Sequence, residues 1–280
     1  MLTIPFTKMQ GLGNDFVVLD FVNHPATLTN QQYAHIADRR FGIGCDQILI
    51  VEPSDTQGID FRYRIINADG SEVGQCGNGA RCLAKFVQQH GLTDKTSIKV
   101  ATSTSVMSLT ANSSGDVTVN MGKVSFKPDQ IPFDANNINY QSGLYAVPLG
   151  ENKTVSIAVA NIGNPHCMLL VDDIDTAKVV ELGSQLESHQ RFPEKVNVSF
   201  MQMLSPSEIK LRVFERGAGE TMACGSGACA AVAIGQQLGL LCENVTVHLL
   251  GGELNICQTA ENDMMMTGAA EFCFEGEITL

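Results

Sequence analysis

The sequence predicts an α+β chain built as two similar lobes, and three observations carry that prediction. Runs that alternate apolar and polar residues dominate the chain, the pattern of half-buried strands. Helical patterns are few. One stretch, a cysteine followed by Gly-x-Gly and an apolar helical run, occurs twice. With 280 residues, 44% of them hydrophobic, the chain can bury one large core or two medium ones, at roughly 100–200 residues per domain.

In chain order, "NQQYAHIADRRF" (30–41) reads as the first helix. The strand "RYRII" (62–66) leads into "GQCGNGARC" (74–82), and an apolar helix follows to about Gly91. "SIKVATSTSVMSLTANSSGDVTVNMG" (97–122) reads as a hairpin around its Asn-Ser-Ser-Gly-Asp turn. "KPDQIPFDANNINYQSG" (127–143), rich in Pro and Asn, reads as the crossing between the lobes. "TVSIAVANIG", "CMLLVDD", "VNVSFMQML", "EIKLRVFE" and "NVTVHLL" are further strands, and "ELGSQLESH" (181–189) is a weaker helix. The second cysteine helix runs from Cys224 to about Gly239.

Composition narrows the function. Lys plus Arg number 18 against 30 Asp plus Glu, and no basic run occurs, which argues against nucleic acid and anionic membranes as partners. The start, "MLTIPFTKMQGLGND", lacks the apolar core of a signal peptide, and no apolar run approaches the ~18–20 residues of a membrane span. Nine scattered cysteines without CxxC spacing suit a reducing, cytoplasmic setting. Cys45, Cys167, Cys242, Cys257 and Cys273 are expected to be plain buried residues, as are Cys82 and Cys229 inside the two helices.

The repeat carries the chemistry. "CGNGARCLAKFVQQHGL" from Cys76 and "CGSGACAAVAIGQQLGL" from Cys224 match at an offset of 148, which also places Arg64 on Arg212 and Glu72 on Glu220. With a shift of two, Gly13-Asn14 falls on Gly163-Asn164. Each cysteine is expected at a helix N-terminus, where unpaired N–H groups and the helix dipole favour a thiolate and can bind a carboxylate. The glycines at 77, 79, 225 and 227 leave that backbone open to a ligand. Two such thiols suit inversion at a carbon beside a carboxylate: one takes a proton from one face, and the other supplies one to the opposite face. That chemistry calls for no metal and no organic cofactor. The rivals fit less well. The cysteine spacings do not make a zinc site, the six histidines do not cluster, and a Cys-His hydrolase leaves the second cysteine unexplained. "GAGETM" (217–222) lacks the third glycine of a dinucleotide loop. A two-lobed binding module, its cysteines only capping helices, predicts that Cys→Ser preserves binding.

"NADGSEVGQCGNGAR" (67–81) and "RVFERGAGETMACGSG" (212–227) resemble the two active-site blocks of the diaminopimelate epimerases. "MQGLGNDFVV" (9–18), "RRFGIGCDQIL" (39–49), "IGNPHCMLLVDD" (162–173) and "TGAAEFCFEGE" (267–277) extend the resemblance over essentially the whole chain. Ala269 departs from the proline common there. The resemblance implies two pseudo-symmetric lobes, each a curved, mostly antiparallel sheet wrapped around its central helix. These would be 1–123 plus 269–280, carrying Cys76, and 124–268, carrying Cys224, with the site between them.

It further implies a pyridoxal-independent epimerase of LL- and meso-diaminopimelate and a homodimer. Cys76 and Cys224 would be the acid/base pair, and His166 and Glu215 would tune their pKa values. Backbone N–H groups at Gly77–Asn78 and Gly225–Ser226 would hold the carboxylate. Asn14, Gln47, Asn67, Asn164, Asn197, Glu215 and Arg216 would grip the second amino-acid head. Each has a plainer reading: the asparagines as turn residues, Glu215–Arg216 as a surface pair, His166 as a satisfied loop histidine. Proline racemases and hydroxyproline epimerases resemble the same fold and are the alternative. They typically carry Cys-Gly-His-Gly where this chain has Cys-Gly-Asn-Gly.

Overall fold

The computed structural model describes residues 2–74, 76–150 and 153–280. The chain divides into one unit of residues 1–120 with 267–280 and a second of 121–266.

The first unit opens with β1 (Thr3–Gly11), β2 (Asn14–Asp20), α1 (Asn30–Ala37), β3 (Gln47–Pro53), β4 (Phe61–Asn67) and β5 (Glu72–Val73). α2 (Gly77–Gln89), β6 (Ser97–Ala101), β7 (Val106–Ala111) and β8 (Val117–Lys123) follow. The second unit holds β9 (Tyr140–Gln141), β10 (Leu144–Pro148), β11 (Thr154–Asn161), β12 (Pro165–Leu170), α3 (Val179–Glu187), β13 (Asn197–Ser205), β14 (Glu208–Glu215) and β15 (Gly219–Thr221). It continues with α4 (Gly225–Gln237), β16 (Asn244–Leu249), β17 (Gly252–Gln258) and β18 (Asp263–Gly268), and the chain ends on β19 (Glu271–Thr279). No helix among the described residues is long and apolar enough to cross a membrane.

The sheets are mixed and mostly antiparallel. In the first unit β19, β1 and β2 pair antiparallel, β2 and β3 parallel, β3 and β4 antiparallel, and β4 pairs β6 parallel. The second unit repeats the scheme: β11–β12 antiparallel, β12–β13 parallel, β13–β14 antiparallel, β14–β16 parallel. The register repeats too. Ile65 faces Val73, and Val213 faces Thr221, both at the offset of 148. The Arg64–Glu72 ion pair (3.0 Å) recurs as Arg212–Glu220 (2.6 Å).

α2 and α4 cover equivalent residues and share their end geometry. Gly91 (φ 66°) and Gly239 (φ 72°) take the left-handed conformation that glycine adopts without a Cβ penalty. Leu92 N–H then donates to Val87 O and Leu240 N–H to Gly235 O, closing both helices with the same capping motif. α2 buries Ala80, Cys82, Leu83, Phe86 and Val87, and α4 is buried along most of its length.

Two expectations change and one is refined. The 97–122 stretch is three strands, because the Thr102 hydroxyl and backbone bind Ser105 and turn the chain before the Asn-Ser-Ser-Gly-Asp hairpin. Residues 127–143, read as the crossing between lobes, lie inside the second unit, as the bounds 124–268 also had them, and contribute to its core: Ile131 and Phe133 pack with Ile157, Phe192 and Phe200. Cys242 and Cys273 are exposed and Cys257 is half-buried, because each lies near a loop or on an outer strand where alternation turns the side chain out. Cys45, Cys82, Cys167 and Cys229 are buried.

Candidate active site

Each unit holds one cysteine at the N-cap of its central helix. In the first, Cys76 has extended backbone (φ −150°, ψ 106°), and its half-buried sulfur accepts the Gly79 N–H at 3.3 Å. Gly77 and Asn78 open the helix, so their N–H groups belong to the first turn, which has no intrahelical acceptor. The approach is close because residue 79 lacks a side chain. A Cβ there would lie 2.4 Å from the Tyr63 hydroxyl and 2.9 Å from Leu49 Cδ2. Tyr63 is fully buried beneath the turn, and burial raises its phenol well above the usual range.

The amides expected to bind ligand form two groups in this unit. Gln47 and Asn67 face each other across β3 and β4, and Gln47 Nε2 donates to Asn67 Oδ1 at 3.0 Å. Asn14 Nδ2 donates to Asp46 Oδ2 at 2.7 Å, and its Oδ1 lies 3.5 Å from Asn78 Nδ2. Asn78 Oδ1 accepts from Arg81 Nη1 at 3.0 Å.

Behind Asn14 stands a charge network that the sequence reading missed. Arg39 bridges Asp15 (2.6 Å) and Asp46 (2.7 Å), and Lys8 joins Asp15 at 2.6 Å and the carbonyl of Gly44. Burial raises Asp15, but Arg39 and Lys8 outweigh it and hold the carboxyl far below the usual range. The signal was present in "RRFGIGCDQ", whose Arg39 and Asp46 flank a glycine turn.

In the second unit Cys224 caps α4 with nearly the same backbone (φ −125°, ψ 106°) but is only 5% exposed. Its Sγ lies 3.6 Å from Ser226 Oγ. The expected lowering of this thiol's pKa is reversed. Burial pushes the Cys224 thiol well up, the neighbouring Glu215 carboxylate adds to the shift, and the Ser226 hydroxyl and Gly227 amide do not offset them. A helix terminus favours an anion only where desolvation costs less than the dipole returns. Glu215 is held from its other side by Thr221, whose hydroxyl donates to Oε1 at 2.5 Å.

His166 is fully buried on β12, opposite Asn197 of β13. Its Nε2 is 3.0 Å from Asn164 Oδ1 and 3.1 Å from Ser226 Oγ, and Asn164 Nδ2 donates to the same hydroxyl at 3.3 Å. Nδ1 is buried with no partner among the described residues. Burial, helped by the Arg216 cation, lowers the imidazole to about 3, so the ring is neutral near pH 7. Asn197 ties β12 to the turn after β14: Nδ2 donates to Pro165 O at 3.0 Å, and Oδ1 accepts the Arg216 N–H at 2.9 Å. The Arg216 guanidinium donates to Glu194 O at 3.1 Å. Gly225 is the first residue of α4, in the position Gly77 holds in α2.

Thus Asn14, Gln47, Asn67, Cys76, Gly77 and Asn78 are set around the first helix start and the strands beside it. Asn164, His166, Asn197, Glu215, Arg216, Cys224, Gly225 and Ser226 are set around the second. Each half offers a thiol, first-turn N–H groups and amide side chains, which together can exchange a proton and hold a carboxylate. Among the described residues no group of three or more His, Cys, Asp or Glu is placed to hold a metal ion.

Comparison with known proteins places these halves in a family. The family model described as "Diaminopimelate epimerase" matches residues 6–127 and 158–273. A diaminopimelate epimerase of Neisseria meningitidis is 53% identical, over 99% of this chain and 99% of its own. One of Thioalkalivibrio sulfidiphilus is 52% identical over 100% of both. Among solved structures, a Bacillus anthracis PhzF-family phenazine biosynthesis protein is similar with a TM-score of 0.71, 16% identity and 100% of both chains covered. A hydroxyproline epimerase from Agrobacterium vitis gives 0.71 and 12%, over 99% of this chain and 93% of that one. At such identities these two share the fold alone. With a family model over both segments and relatives about half identical end to end, the chain belongs to the diaminopimelate epimerase family.

Proposed function

We propose that the chain is an isomerase that interconverts LL- and meso-diaminopimelate without a cofactor, in the supply of lysine and cell-wall precursors. The observation that carries this reading is the repeated cysteine at two helix N-termini, in a chain of this family. One cysteine thiolate takes the α-proton and becomes a thiol. The other thiol gives its proton to the opposite face of the same carbon and becomes the thiolate. The two have then exchanged states, and no proton or electron is left over.

The two environments support unequal resting states. Burial and the Glu215 charge keep Cys224 protonated, so it is the acid. Cys76, half-buried and accepting the Gly79 N–H at 3.3 Å, has in its repeat Asn67 at the position of Glu215, an amide in place of the carboxylate, and is read as the base. Glu215 tunes Cys224 directly, and neutral His166 reaches it through Ser226. N–H groups at Gly77–Asn78 and Gly225–Ser226 hold the carboxylate at the reacting carbon, where charge builds in the transition state. Asn14, Gln47, Asn67, Asn164, Asn197, Glu215 and Arg216 grip the far amino-acid head. Arg216 would exchange the Glu194 carbonyl for a carboxylate, a stronger partner for a guanidinium. We read the protein as a cytoplasmic homodimer acting on a small molecule, with no nucleic-acid or membrane partner.

The test is proton NMR of LL-diaminopimelate with reduced protein in deuterium oxide, with proline in a parallel tube. Loss of one α-proton signal with growth of the meso form supports the reading. Exchange in the proline tube alone overturns the substrate and keeps the two-thiol chemistry. No exchange in either, with thiols free, overturns the function.

A further inference from the structure

We infer that Asp46 and Arg81 are positioning residues that fix the direction in which the Asn14 and Asn78 amides point. An asparagine amide offers two N–H donors at one end and an acceptor at the other, and it can present either end by turning over. Here each amide is clamped at one end by a group that cannot exchange roles. The Asp46 carboxylate only accepts, so at 2.7 Å it holds the NH2 end of Asn14. The Arg81 guanidinium only donates, so at 3.0 Å it holds the oxygen end of Asn78. The Asn14 oxygen then points toward the Asn78 NH2 group, 3.5 Å away.

Both clamps are themselves fixed. Asp46 is gripped by Arg39 at 2.7 Å, and Arg39 also takes Asp15 with two nitrogens (2.6 and 3.0 Å). A second Asp46 contact holds the backbone: Asp15 N–H donates to Oδ2 at 3.1 Å. Arg81 is fully buried, and its Nε donates to Ala269 O at 3.0 Å. A directed chain of hydrogen bonds therefore runs from the Arg81 cation through both amides to the Asp46 anion. Such a chain has one low-energy orientation, because reversing either amide sets two acceptors or two donors face to face.

The functional consequence rests on the reading of Asn14 as a substrate contact. An amide held in one orientation needs no reordering when substrate arrives. It contacts ground state and transition state alike, so its loss appears in KM more than in kcat.

The test uses the full-length protein and Asp46→Asn, which keeps the shape of the side chain and removes the obligate acceptor. KM for diaminopimelate is expected to rise about tenfold, the loss of one well-made polar contact, with kcat within a few-fold. Arg81→Lys, a single-point donor that cannot serve Asn78 and Ala269 together, is expected to raise KM in the same way. Unchanged KM in Asp46→Asn, or in Arg81→Lys, overturns the inference. So does a loss that appears only as a lower melting temperature.

A readout without substrate separates this inference from the reading it rests on. In 15N-labelled protein one Asn14 Nδ2 proton is expected downfield and slow to exchange, and Asp46→Asn abolishes both features. Their absence from the unsubstituted protein overturns the positioning role. Their presence in a protein inert toward diaminopimelate supports it and overturns the function.

Discussion

Lowering the pH from 7 to 4.5 destabilises this protein through one histidine, and the effect can be isolated. His166 has no exposed surface and is held neutral: Nε2 is taken up by Asn164 and Ser226, and Nδ1 has no hydrogen-bond partner among the described residues to stabilise a second proton. Burial and the Arg216 cation lower its folded-state pKa to about 3, against about 6.5 in an unfolded chain. Between those values the unfolded state binds a proton that the folded state refuses, so stability rises with pH and falls as pH falls. Nothing is lost above pH 6.5. By pH 4.5 the loss is two pH units at about 1.4 kcal/mol each, about 3 kcal/mol. At about 2–4 °C per kcal/mol, Tm drops by roughly 6–12 °C from this cause.

Carboxylates titrate in the same range, so a difference is needed. His166→Gln keeps an N–H donor for Asn164 and cannot titrate. Its melting temperature at pH 7 is expected to lie below that of the unsubstituted protein, for the lost packing and hydrogen bonds. The gap should narrow steadily between pH 6.5 and 4.5, by the amount worked out above. Thermal melts followed by circular dichroism at five or six pH values measure it directly. A gap that stays constant over that range would show that His166 takes a proton in the folded state, and the reasoning from its burial would be wrong.

Three further outcomes are expected. Gly79→Ala puts a methyl 2.4 Å from the Tyr63 hydroxyl, an overpacking cost of about 1–3 kcal/mol that exceeds the ~1 kcal/mol gained in helix propensity, and Tyr63→Phe should recover part of it; melts of the single and double variants decide, and no recovery refutes the contact. Glu215→Gln removes a charge that holds the Cys224 proton, so site-resolved alkylation of Cys224 at pH 8 should quicken severalfold, while equal rates would leave burial as the whole cause. Cys76→Ala and Cys224→Ala should each abolish α-proton exchange with inversion; substantial turnover by either under reducing conditions would rule out the two-base scheme.

Much of this architecture was legible because the repeat is local. The capping cysteines, the helix-ending glycines and the Arg-x7-Glu ion pairs lie within short spans, so the offset of 148 carried them from sequence into matching geometry. What was not legible depends on partners far along the chain. Ile131 and Phe133 sit in a Pro- and Asn-rich stretch, and residues far along the chain, such as Ile157, Phe192 and Phe200, make them core. Arg39 and Asp46 flank one glycine turn, but Asp15 lies 24 and 31 positions from them and meets them only through the parallel pair of β2 and β3. Cys224 shows the limit most clearly. A helix start predicts a stabilised thiolate, but 5% exposure and a carboxylate from β14 reverse the sign.

The same positions show how a duplicated sequence can give two unlike thiols. At an offset of 150, the parallel pair Phe16–Gln47 corresponds to His166–Asn197. At 148, Asn67 corresponds to Glu215 and Asn78 to Ser226. The cysteines, their glycines and both helix starts are the same in the two copies, so the backbone geometry that favours a carboxylate is kept. The side chains at matching positions differ: an amide in one copy is a carboxylate in the other, and a phenyl ring is an imidazole. A reaction that begins with one thiolate and one thiol needs that inequality. Replacing Glu215 by Asn, its counterpart in the other copy, should therefore narrow the difference in alkylation rate between Cys224 and Cys76, and an unchanged ratio would locate the asymmetry in burial alone.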